Sequence, residues 1–408
     1  MISVEEAQRR VIKGALSKPL TPVIVSLEES LGRVLAEPIV SDLDSPPFDN
    51  SSMDGFAVQA KSVAGARSDH PVPLEVVATI SAGHSVPESL TRSDQCYRIM
   101  TGAPVPRDAD AVVQVEWTEK DSRHPTRVLI KRPANPGLNI RRRGTDMAKG
   151  DTILRSGTRI TPAIMGISAT LGRTSLAVYP APRVAIISTG DEIVDPSKRP
   201  GPGQIRNSNA YALYAVVAEA GGQPVLMAHA PDHLQTIVER LDQAAQYELI
   251  LSSGGVSVGD FDLVKTALDQ HGTLDFWRVN VKPGKPIAYG HYRHTPFFGL
   301  PGNPVSALVT FELFVRPVIR QLQGDSRWQR LMVALPLLQD FTEVSDRRHY
   351  VRCRIEYDDS GKAGIVPSPD QGSAIQTSWL NATALMMVPE NTGPILAGTE
   401  VSVMVLGT

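Results

Sequence analysis

The central part of the chain is built from short, continuous apolar runs separated by amphipathic segments. The runs lie at 184–187, 225–227, 249–251, 287–289 and 297–300. Strands that are buried on both faces have this pattern, which is typical of parallel sheets. Because strands and helices alternate over about 140 residues, we predict a doubly wound, mostly parallel α/β domain. We assign this domain to residues 179–325.

Helical patterns lie between and after these runs. Asn207 or Ser208 can cap a helix that ends at the glycine pair 221–222, and Asp232 can cap a second helix. A third helix is predicted over 261–270. A fourth is predicted to start at Pro304, where proline suits the first helical position, and to continue to about Leu322.

Two capping boxes occur near the N-terminus. Ser3 with Glu6 predicts a helix over 3–16, and Ser26 with Glu29 predicts a short helix through Leu35. Pro38 is expected to end that second helix because proline cannot continue the hydrogen-bond pattern.

Two β-rich regions flank the α/β pattern. Residues 46–144 contain short alternating stretches, at 74–80, 97–100 and 112–115, which indicate a small β domain. Beyond about residue 331 the helical pattern ends. Residues 351, 353 and 355 alternate with polar neighbours as in a half-buried strand, and 385–388 and 401–406 predict two more. We therefore expect a small C-terminal β-barrel over 326–408.

The composition limits the possible functions. The 408 residues are 42% hydrophobic and 21% charged, as in soluble globular proteins. A net charge of -2 gives no general attraction to nucleic acid or anionic membrane. Cys96 and Cys353 are too few for a disulfide framework or a cysteine-based metal site. No apolar signal region and no membrane-length apolar run are present, so we expect a cytoplasmic protein without nucleic-acid or membrane partners.

Glycine-rich segments follow or flank the predicted strands. They lie at 188–192, 252–260, 282–286 and 299–306. Ligands bind beyond the carboxyl ends of strands in open α/β sheets, and free N–H groups at helix starts attract anions. Lys282 and Lys285 add positive charge, so the loops predict a phosphate-binding cleft. Neither a GxGxxG nor a GxxxxGK[ST] motif fits. The alternative for any single loop is that its glycine only closes a turn.

Carboxylates lie in or beside the same loops. They are Asp191, Glu192 and Asp260. Because Mg²⁺ binds one or two carboxylates together with substrate phosphate oxygens, magnesium-assisted displacement at phosphorus is a plausible chemistry. The alternative for Asp260 is a helix cap. The nine histidines have no metal-site spacing, and no GxSxG motif supports acyl transfer.

Seven segments together resemble one family, the molybdopterin molybdenumtransferases, which include the E domain of gephyrin. The segments are PPFDNSSMDGFAV, RIMTGAPVP, NIRRRGTDMAKGD, STGDE, SSGGVSVGD, VKPGKPIAYG and GLPGNPVSA, in the family's order across about residues 46–310. The resemblance implies insertion of molybdate into adenylylated molybdopterin, with Mg²⁺-dependent hydrolysis of a pyrophosphate-type bond and release of AMP. It also implies a linking and dimerisation region formed by 1–45 with 145–178.

The resemblance carries functional positions onto this sequence. The catalytic set that it implies is Asp54, Thr101, Asp146, Glu192, Asp260, Lys282 and Lys285, with Glu192 and Asp260 as metal ligands. The implied pterin-binding set is Thr189, Gly190, Asp232, Ser253, Gly254, Gly255, Arg278, Gly302 and Ser306. Arg278 departs from the lysine that relatives often have, which keeps the charge but changes the geometry. Arg348, Arg352 and Ser373 lie near family positions in the C-terminal domain.

Charge suggests the individual roles. Lys282 and Lys285 would contact phosphate or molybdate, Glu192 and Asp260 would act near magnesium or the pterin, and Asp54 would close the site. The family forms homodimers in which Asp54 and Lys282 of one site come from different chains. Transient contact with the molybdopterin adenylyltransferase and with downstream cofactor-handling proteins is also implied. Two alternatives remain, a molybdopterin adenylyltransferase and a non-catalytic molybdate- or pterin-binding scaffold.

Overall fold

The computed structural model describes residues 1–15, 20–84, 92–254 and 263–406. The chain divides into two compact units. The first contains Met1–Glu37, Ser156–Ala169 and Arg173–Thr408, and the second contains Pro38–Arg155 with Thr170–Gly172. No helix among the described residues is long and apolar enough to span a membrane.

The first unit is organised around a 6-stranded sheet. Its strands, in spatial order, are Gln223–Leu226, Arg183–Ser188, Leu249–Ser253, Thr295–Leu300, Ala288–Tyr292 and Gly272–Phe276. The first four are parallel, and the last two pair antiparallel at one edge. The predicted, mostly parallel α/β sheet is therefore confirmed, although the strand at Gly272–Phe276 was not predicted.

Helices cover both faces of this sheet. The helices whose residues belong to its core clusters are α1 (Val4–Ala15), α3 (Ser208–Glu219), α4 (Leu234–Ala244), α5 (Leu263–His271), α6 (Pro304–Thr310) and α7 (Arg316–Leu322). A further helix, α2, comprises Pro162–Thr170. Val184 and Ile186 pack in one core cluster with residues of α3 and α6, whereas Ala185 and Ile187 pack in another with residues of α4 and α5. Successive strand residues point to opposite faces, so both faces must be apolar. The sheet is doubly wound, as predicted.

The helices predicted to start after Asn207 and at Pro304 begin at those positions. Asn207 caps α3 and accepts a hydrogen bond from the Ala210 N–H. The Asp232 cap was wrong, because His233 is the capping residue of α4 and makes no side-chain cap bond. The Asp232 N–H instead donates to Asp191 Oδ1 at 3.0 Å, which ties this residue to a neighbouring loop. Of the third predicted helix, residues 261 and 262 lie outside the described residues.

The predicted helix from Pro304 to Leu322 is present but contains a π-helical turn, Phe311–Val315, between α6 and α7. Pro317 lies in the first turn of α7 and has no N–H to donate to the preceding turn. The irregular hydrogen-bond pattern next to this proline is the expected response of a helix that continues through it.

The N-terminal helix is confirmed, and the Glu6 N–H donates to Ser3 Oγ at 3.1 Å. The second capping box also forms, but it starts only a 3₁₀ turn, Glu28–Ser30. A helix through Leu35 was therefore wrong. Gly32 has a φ of 75°, which breaks the helical path, and Val34–Leu35 is a strand. This strand belongs to a 3-stranded sheet with Val23–Ser26 and Ser175–Tyr179.

The C-terminal part of the first unit is a small β-barrel, as predicted. Its strands are Val281–Lys282, Met332–Pro336, Arg348–Tyr357, Ala363–Pro367, Ala384–Val388 and Glu400–Val405. A bridge from Leu337 to Ile365 closes the sheet. The half-buried interpretation of the long strand was wrong at Tyr350 and Arg352, which are 3% and 0% exposed. Tyr350 packs into the core cluster of the α/β sheet, so this strand is covered on both faces.

The second unit contains its own 6-stranded sheet. The strands are Gly55–Val58, Val72–Ile80, Gln95–Ile99, Ala111–Gln114, Thr118–Lys120 and Arg127–Ile130, which confirms the three predicted ones. Two further strand pairs join Asn50–Ser51 to Ile140–Arg141 and Ile39–Val40 to Thr152–Leu154.

Candidate active site

A cavity of about 600 Å³ lies at the carboxyl ends of the central parallel strands. Its walls come from the loops that follow three of these strands and from the starts of α3 and α6. The lining includes Ser188, Thr189, Glu192, Asn207, Ser208, Asn209, Ser253, Gly254, Gly302, Asn303 and Pro304. The two-stranded ribbon of Ile193–Val194 and Ile205–Arg206 adds apolar side chains at one edge. The cavity thus combines helix N-termini with a polar floor and a partly apolar wall.

Two glycines in these loops are required by geometry. Gly254 has a φ of 91°, and a Cβ at this position would lie 3.0 Å from the Thr189 carbonyl oxygen. Gly190 has a φ of 123°, and its Cβ would overlap the Glu192 carboxylate. Both residues adopt backbone conformations that L side chains rarely accept. The glycines therefore allow the Thr189, Glu192 and Gly254 segments to approach one another.

Asn209, in the first turn of α3, connects the loops. Its Nδ2 donates to Ser253 Oγ at 2.9 Å and to the Gly302 carbonyl oxygen at 2.8 Å. One side chain therefore fixes the start of α3 against the loop after Leu249–Ser253 and the loop before α6. Such fixed donors and helix starts form an environment that stabilises anions.

Several polar atoms in or beside this cavity are buried and have no hydrogen-bond partner in the described part of the chain. They are Thr189 Oγ1, Asn209 Oδ1 and Ser252 Oγ. Buried polar groups are almost always hydrogen-bonded, since an unmade bond costs about 1–3 kcal/mol. Atoms without partners at the base of a cavity are expected where a bound molecule or water completes the bonds.

A second cavity of about 430 Å³ adjoins the first, and Pro286 and Asn303 line both. Its charged side chains are Lys282, Lys285, Arg347 and Glu343. Lys282 Nζ lies 3.0 Å from Glu343 Oε2, and both side chains are partly exposed. The lining side chains, three cations and one carboxylate, carry an excess of two positive charges, and Arg347 also pairs at 3.3 Å with Asp346, which does not line the cavity. This cavity is suited to a dianion.

The barrel supplies a buried layer behind this second cavity. Arg352 is fully buried and donates from Nη2 to the Asp370 carbonyl oxygen at 3.0 Å, while its Nε and Nη1 find no partner within the residues that the structure describes. His349 is also fully buried and lies opposite Lys282 in a parallel strand pair. Burial lowers the pKa of His349 to about 4, and the nearby Lys282 contributes to the same direction. His349 is therefore neutral at pH 7.

The second unit holds a separate polar cluster. The carboxylate of Asp54 accepts hydrogen bonds from the Thr101 N–H at 2.7 Å and from the Thr101 hydroxyl at 2.8 Å. These two bonds lower the pKa of the Asp54 carboxyl, so it is ionised at neutral pH. In the nearby arginine run, Arg142 pairs with Asp49 and Arg143 with Asp44, each at 2.6 Å.

The structure brings most of the predicted α/β-domain residues to the two cavities. Thr189, Glu192, Ser253, Gly254 and Gly302 line the first, and Lys282, Lys285 and Ser306 line the second. Gly190 lies directly beside the first through its contact with Glu192.

Other predicted residues lie elsewhere. Asp232 and Arg278 line neither cavity, and Asp146 is exposed in the second unit. Gly255 and Asp260 lie outside the described residues. Among the residues that are described, no cluster of three histidine, cysteine or acidic side chains could hold a metal ion.

Some cavity residues were not predicted. They are Asn209, Asn303, Glu343, Arg347 and Gln371. Asn209 and Asn303 occur at helix starts, where asparagine usually acts as a cap, so their second role had no separate signal. The other three come from loops of the barrel, and nothing in their local sequence relates them to Lys282.

Three family models match the chain. They are described as the MoeA N-terminal region (domain I and II), over residues 2–172, a probable molybdopterin binding domain, over 185–321, and the MoeA C-terminal region (domain IV), over 334–406. Molybdopterin molybdenumtransferase 2 of Mycobacterium tuberculosis is 39% identical over 99% of both chains. The molybdopterin molybdenumtransferase of Bacillus subtilis is 36% identical over 99% of this chain and 94% of its own. A solved molybdopterin biosynthesis moeA protein from Pyrococcus horikoshii OT3 is similar with a TM-score of 0.84 and 29% identity, covering 99% of this chain and 100% of that one.

Proposed function

The chain belongs to the molybdopterin molybdenumtransferases, enzymes of molybdenum cofactor biosynthesis, and from that premise we propose that it inserts molybdate into adenylylated molybdopterin and hydrolyses the pyrophosphate-type bond. AMP and the molybdenum-loaded pterin are the products. The main support is the pair of adjoining cavities, one with helix starts and free polar atoms and one with two excess positive charges.

Adenylylated molybdopterin is assigned to the 600 Å³ cavity. Its linked phosphates are the anionic part of the molecule, and the starts of α3 and α6 offer N–H groups and the positive ends of helix dipoles to them. Thr189 Oγ1 and Asn209 Oδ1 are available for the polar edges of a bound ring system. Ile193 and Ile205 provide an apolar wall against which a flat ring can lie.

Molybdate is assigned as substrate to the 430 Å³ cavity. Its charge of two equals the excess charge of Lys282, Lys285 and Arg347 over Glu343. Because Pro286 and Asn303 border both cavities, an oxyanion held here lies next to the dithiolene end of a pterin in the first cavity. The pterin's own sulfurs then take the metal, so the protein requires no cysteine or histidine ligands.

Mg²⁺ is assigned to the edge of the first cavity. Glu192 lines this cavity, and no hydrogen bond or ion pair of its carboxylate is found within the described part of the chain. One carboxylate together with phosphate oxygens of the substrate is a usual environment for magnesium. When bound, the ion would neutralise charge that develops on the phosphate oxygens during hydrolysis.

The protein's own groups would position the substrates. Asn209, Ser253 and Gly302 hold the phosphate-binding loops, and the lysines fix the oxyanion. Such fixed dipoles stabilise developing negative charge without reorganising during the reaction. The ionised Asp54, held by Thr101, is proposed to act in closing the site. We also propose that the active form is a homodimer and that it contacts the adenylyltransferase and downstream cofactor-handling proteins transiently.

The proposal is tested by incubating the purified protein with adenylylated molybdopterin, Mg²⁺ and molybdate, and by measuring AMP and molybdenum-loaded pterin. Lys282→Gln should reduce molybdenum loading roughly 100-fold or more, because it removes a charge that contacts the oxyanion. Lys362→Gln, at an exposed lysine of the barrel, is the matched control and should leave loading unchanged.

Full molybdenum loading by Lys282→Gln would contradict the assignment of the second cavity. Formation of adenylylated pterin from ATP and molybdopterin by this protein alone would favour the adenylyltransferase. Sedimentation or light scattering that gives a monomer at working concentrations would contradict the homodimer.

A further inference from the structure

A third cavity, of about 780 Å³, lies in the first unit away from the glycine loops. It is bordered by the segment before α2, by α7 and by the segment that leads into the barrel. Five arginines line it: Arg159, Arg316, Arg320, Arg327 and Arg330. None of the cavity's lining residues is shared with the two cavities of the candidate active site. We call this space the arginine cavity.

The carboxylates of the arginine cavity do not balance its arginines. Asp325 is buried and pairs with Arg159 at 3.0 Å and with Arg320 at 3.2 Å. Glu312, behind the wall, and Glu219 both pair with Arg330. Three carboxylates against five arginines leave two positive charges in excess.

The excess charge is carried by groups with unused hydrogen-bonding capacity. Arg320 Nε is buried and has no partner among the described residues. Arg316 is 6% exposed and donates from Nη1 to the Trp328 carbonyl oxygen at 2.9 Å, but its Nε lies 3.8 Å from Glu312, beyond hydrogen-bond distance. Arg327 is exposed, and no ion pair of its side chain is found among the described residues. Burial lowers the pKa of Arg316 to about 10, and the neighbouring Arg330 contributes in the same direction.

A purely structural network would be expected to pair its buried charges, because an uncompensated buried charge is costly. Here the carboxylates are all occupied, and the arginines that lack full pairing border open space. Thr161 and Ile164 also line the cavity, so the positive end of the α2 dipole faces the same region. Planar guanidinium groups with free N–H donors are well matched to phosphate oxygens.

We propose that the arginine cavity binds a phosphate dianion, either inorganic phosphate or the phosphomonoester of a nucleotide. The volume exceeds what a single phosphate needs and lies in the range of small-molecule sites. The assignment does not depend on the proposed function, since it uses no residue of the two active-site cavities.

Isothermal titration calorimetry with inorganic phosphate and with AMP tests the site. Because both probes can also enter the active-site cavities, each titration is done twice, with the variants made in the wild-type chain and in a chain that also carries Lys282→Gln. Arg327→Glu reverses an exposed charge, Arg320→Gln removes the arginine with the free Nε, and Arg123→Glu is a matched change at an exposed arginine of the second unit.

We expect Arg327→Glu and Arg320→Gln each to weaken one phosphate site roughly tenfold or more in both backgrounds, while Arg123→Glu changes it less than about twofold. Phosphate and AMP of equal affinity identify the free anion as the ligand, and tighter AMP binding identifies the nucleotide. Molybdenum transfer by Arg327→Glu at saturating substrate should match the wild-type rate. If both arginine variants bind phosphate and AMP like Arg123→Glu, the arginine cavity is not an anion site.

Discussion

Lowering the pH should reduce the free energy of unfolding of the first unit through His349, and replacing this histidine by glutamine, which does not titrate, should remove that effect. The side chain is fully buried beside Lys282, and the ring packs on Phe341 with 5.8 Å between centroids. Neither ring nitrogen has a hydrogen-bond partner among the residues described. Burial first, and the positive charge of Lys282 next, lower its pKa from 6.5 to about 4. The folded protein therefore resists a proton that the unfolded chain accepts.

The sign and size follow from this difference. Above pH 7 His349 is neutral in both states and has no effect on stability. As the pH falls through 6.5, the unfolded chain gains a proton and the free energy of unfolding decreases, until the folded state also protonates near pH 4. The gap between the two pKa values corresponds to roughly 3 kcal/mol in full, and to roughly 2 kcal/mol between pH 7 and pH 5.

Urea denaturation of wild type, His349→Gln and His294→Gln at pH 7 and pH 5 measures this contribution. His294 is exposed and serves as the matched control. All titrating groups other than His349 and His294 are common to the three proteins, so their effects cancel in the comparison. The loss of unfolding free energy from pH 7 to pH 5 should be roughly 2 kcal/mol smaller in His349→Gln than in the other two proteins. Equal losses in all three proteins would refute the assignment of a neutral, proton-resisting His349.

Three further changes test the candidate active site. Gly254→Ala introduces a Cβ 3.0 Å from the Thr189 carbonyl oxygen at a φ of 91°, so we expect the free energy of unfolding to fall by roughly 1–3 kcal/mol. Gly393→Ala is the control, because a Cβ at Gly393 meets nothing within 4 Å. Asn209→Ala removes both loop-connecting hydrogen bonds and should lower kcat/KM for AMP release roughly 10- to 100-fold, and an unchanged kcat/KM would contradict its positioning role. Glu343→Gln removes the only carboxylate that lines the second cavity within the described residues, so molybdate should bind several-fold more tightly in equilibrium dialysis. Weaker binding would show instead that the ion pair with Glu343 is needed to hold Lys282 in place.

The fold was predictable where one pattern had one physical cause. The run at 184–187 is apolar throughout because Val184 and Ile186 face one core cluster while Ala185 and Ile187 face the other. Short-range signals were less reliable where tertiary contacts compete with them. Ser26 and Glu29 form their capping box, yet Gly32 breaks the helical path soon after it. Asp232 does not cap α4, and its N–H donates to Asp191 Oδ1 in a neighbouring loop. A capping residue marks a possible helix start, but contacts with neighbouring loops determine whether and how far a helix forms there.

The two active-site cavities differed in how far the sequence could define them. Loops at strand ends must converge in a parallel sheet, so Thr189, Ser253 and Gly302 could be placed together before any coordinates. The second cavity depends instead on a pairing between Val281–Lys282 and Arg348–Tyr357, which sets Lys282 opposite His349. Alternation along that strand suggested that Arg352 faces solvent, but the side chain is buried, and its Nη2 donates to the Asp370 carbonyl oxygen and so holds that loop. The charge of the second cavity is therefore a property of strand register between distant segments, and a single sequence contains no local signal for it.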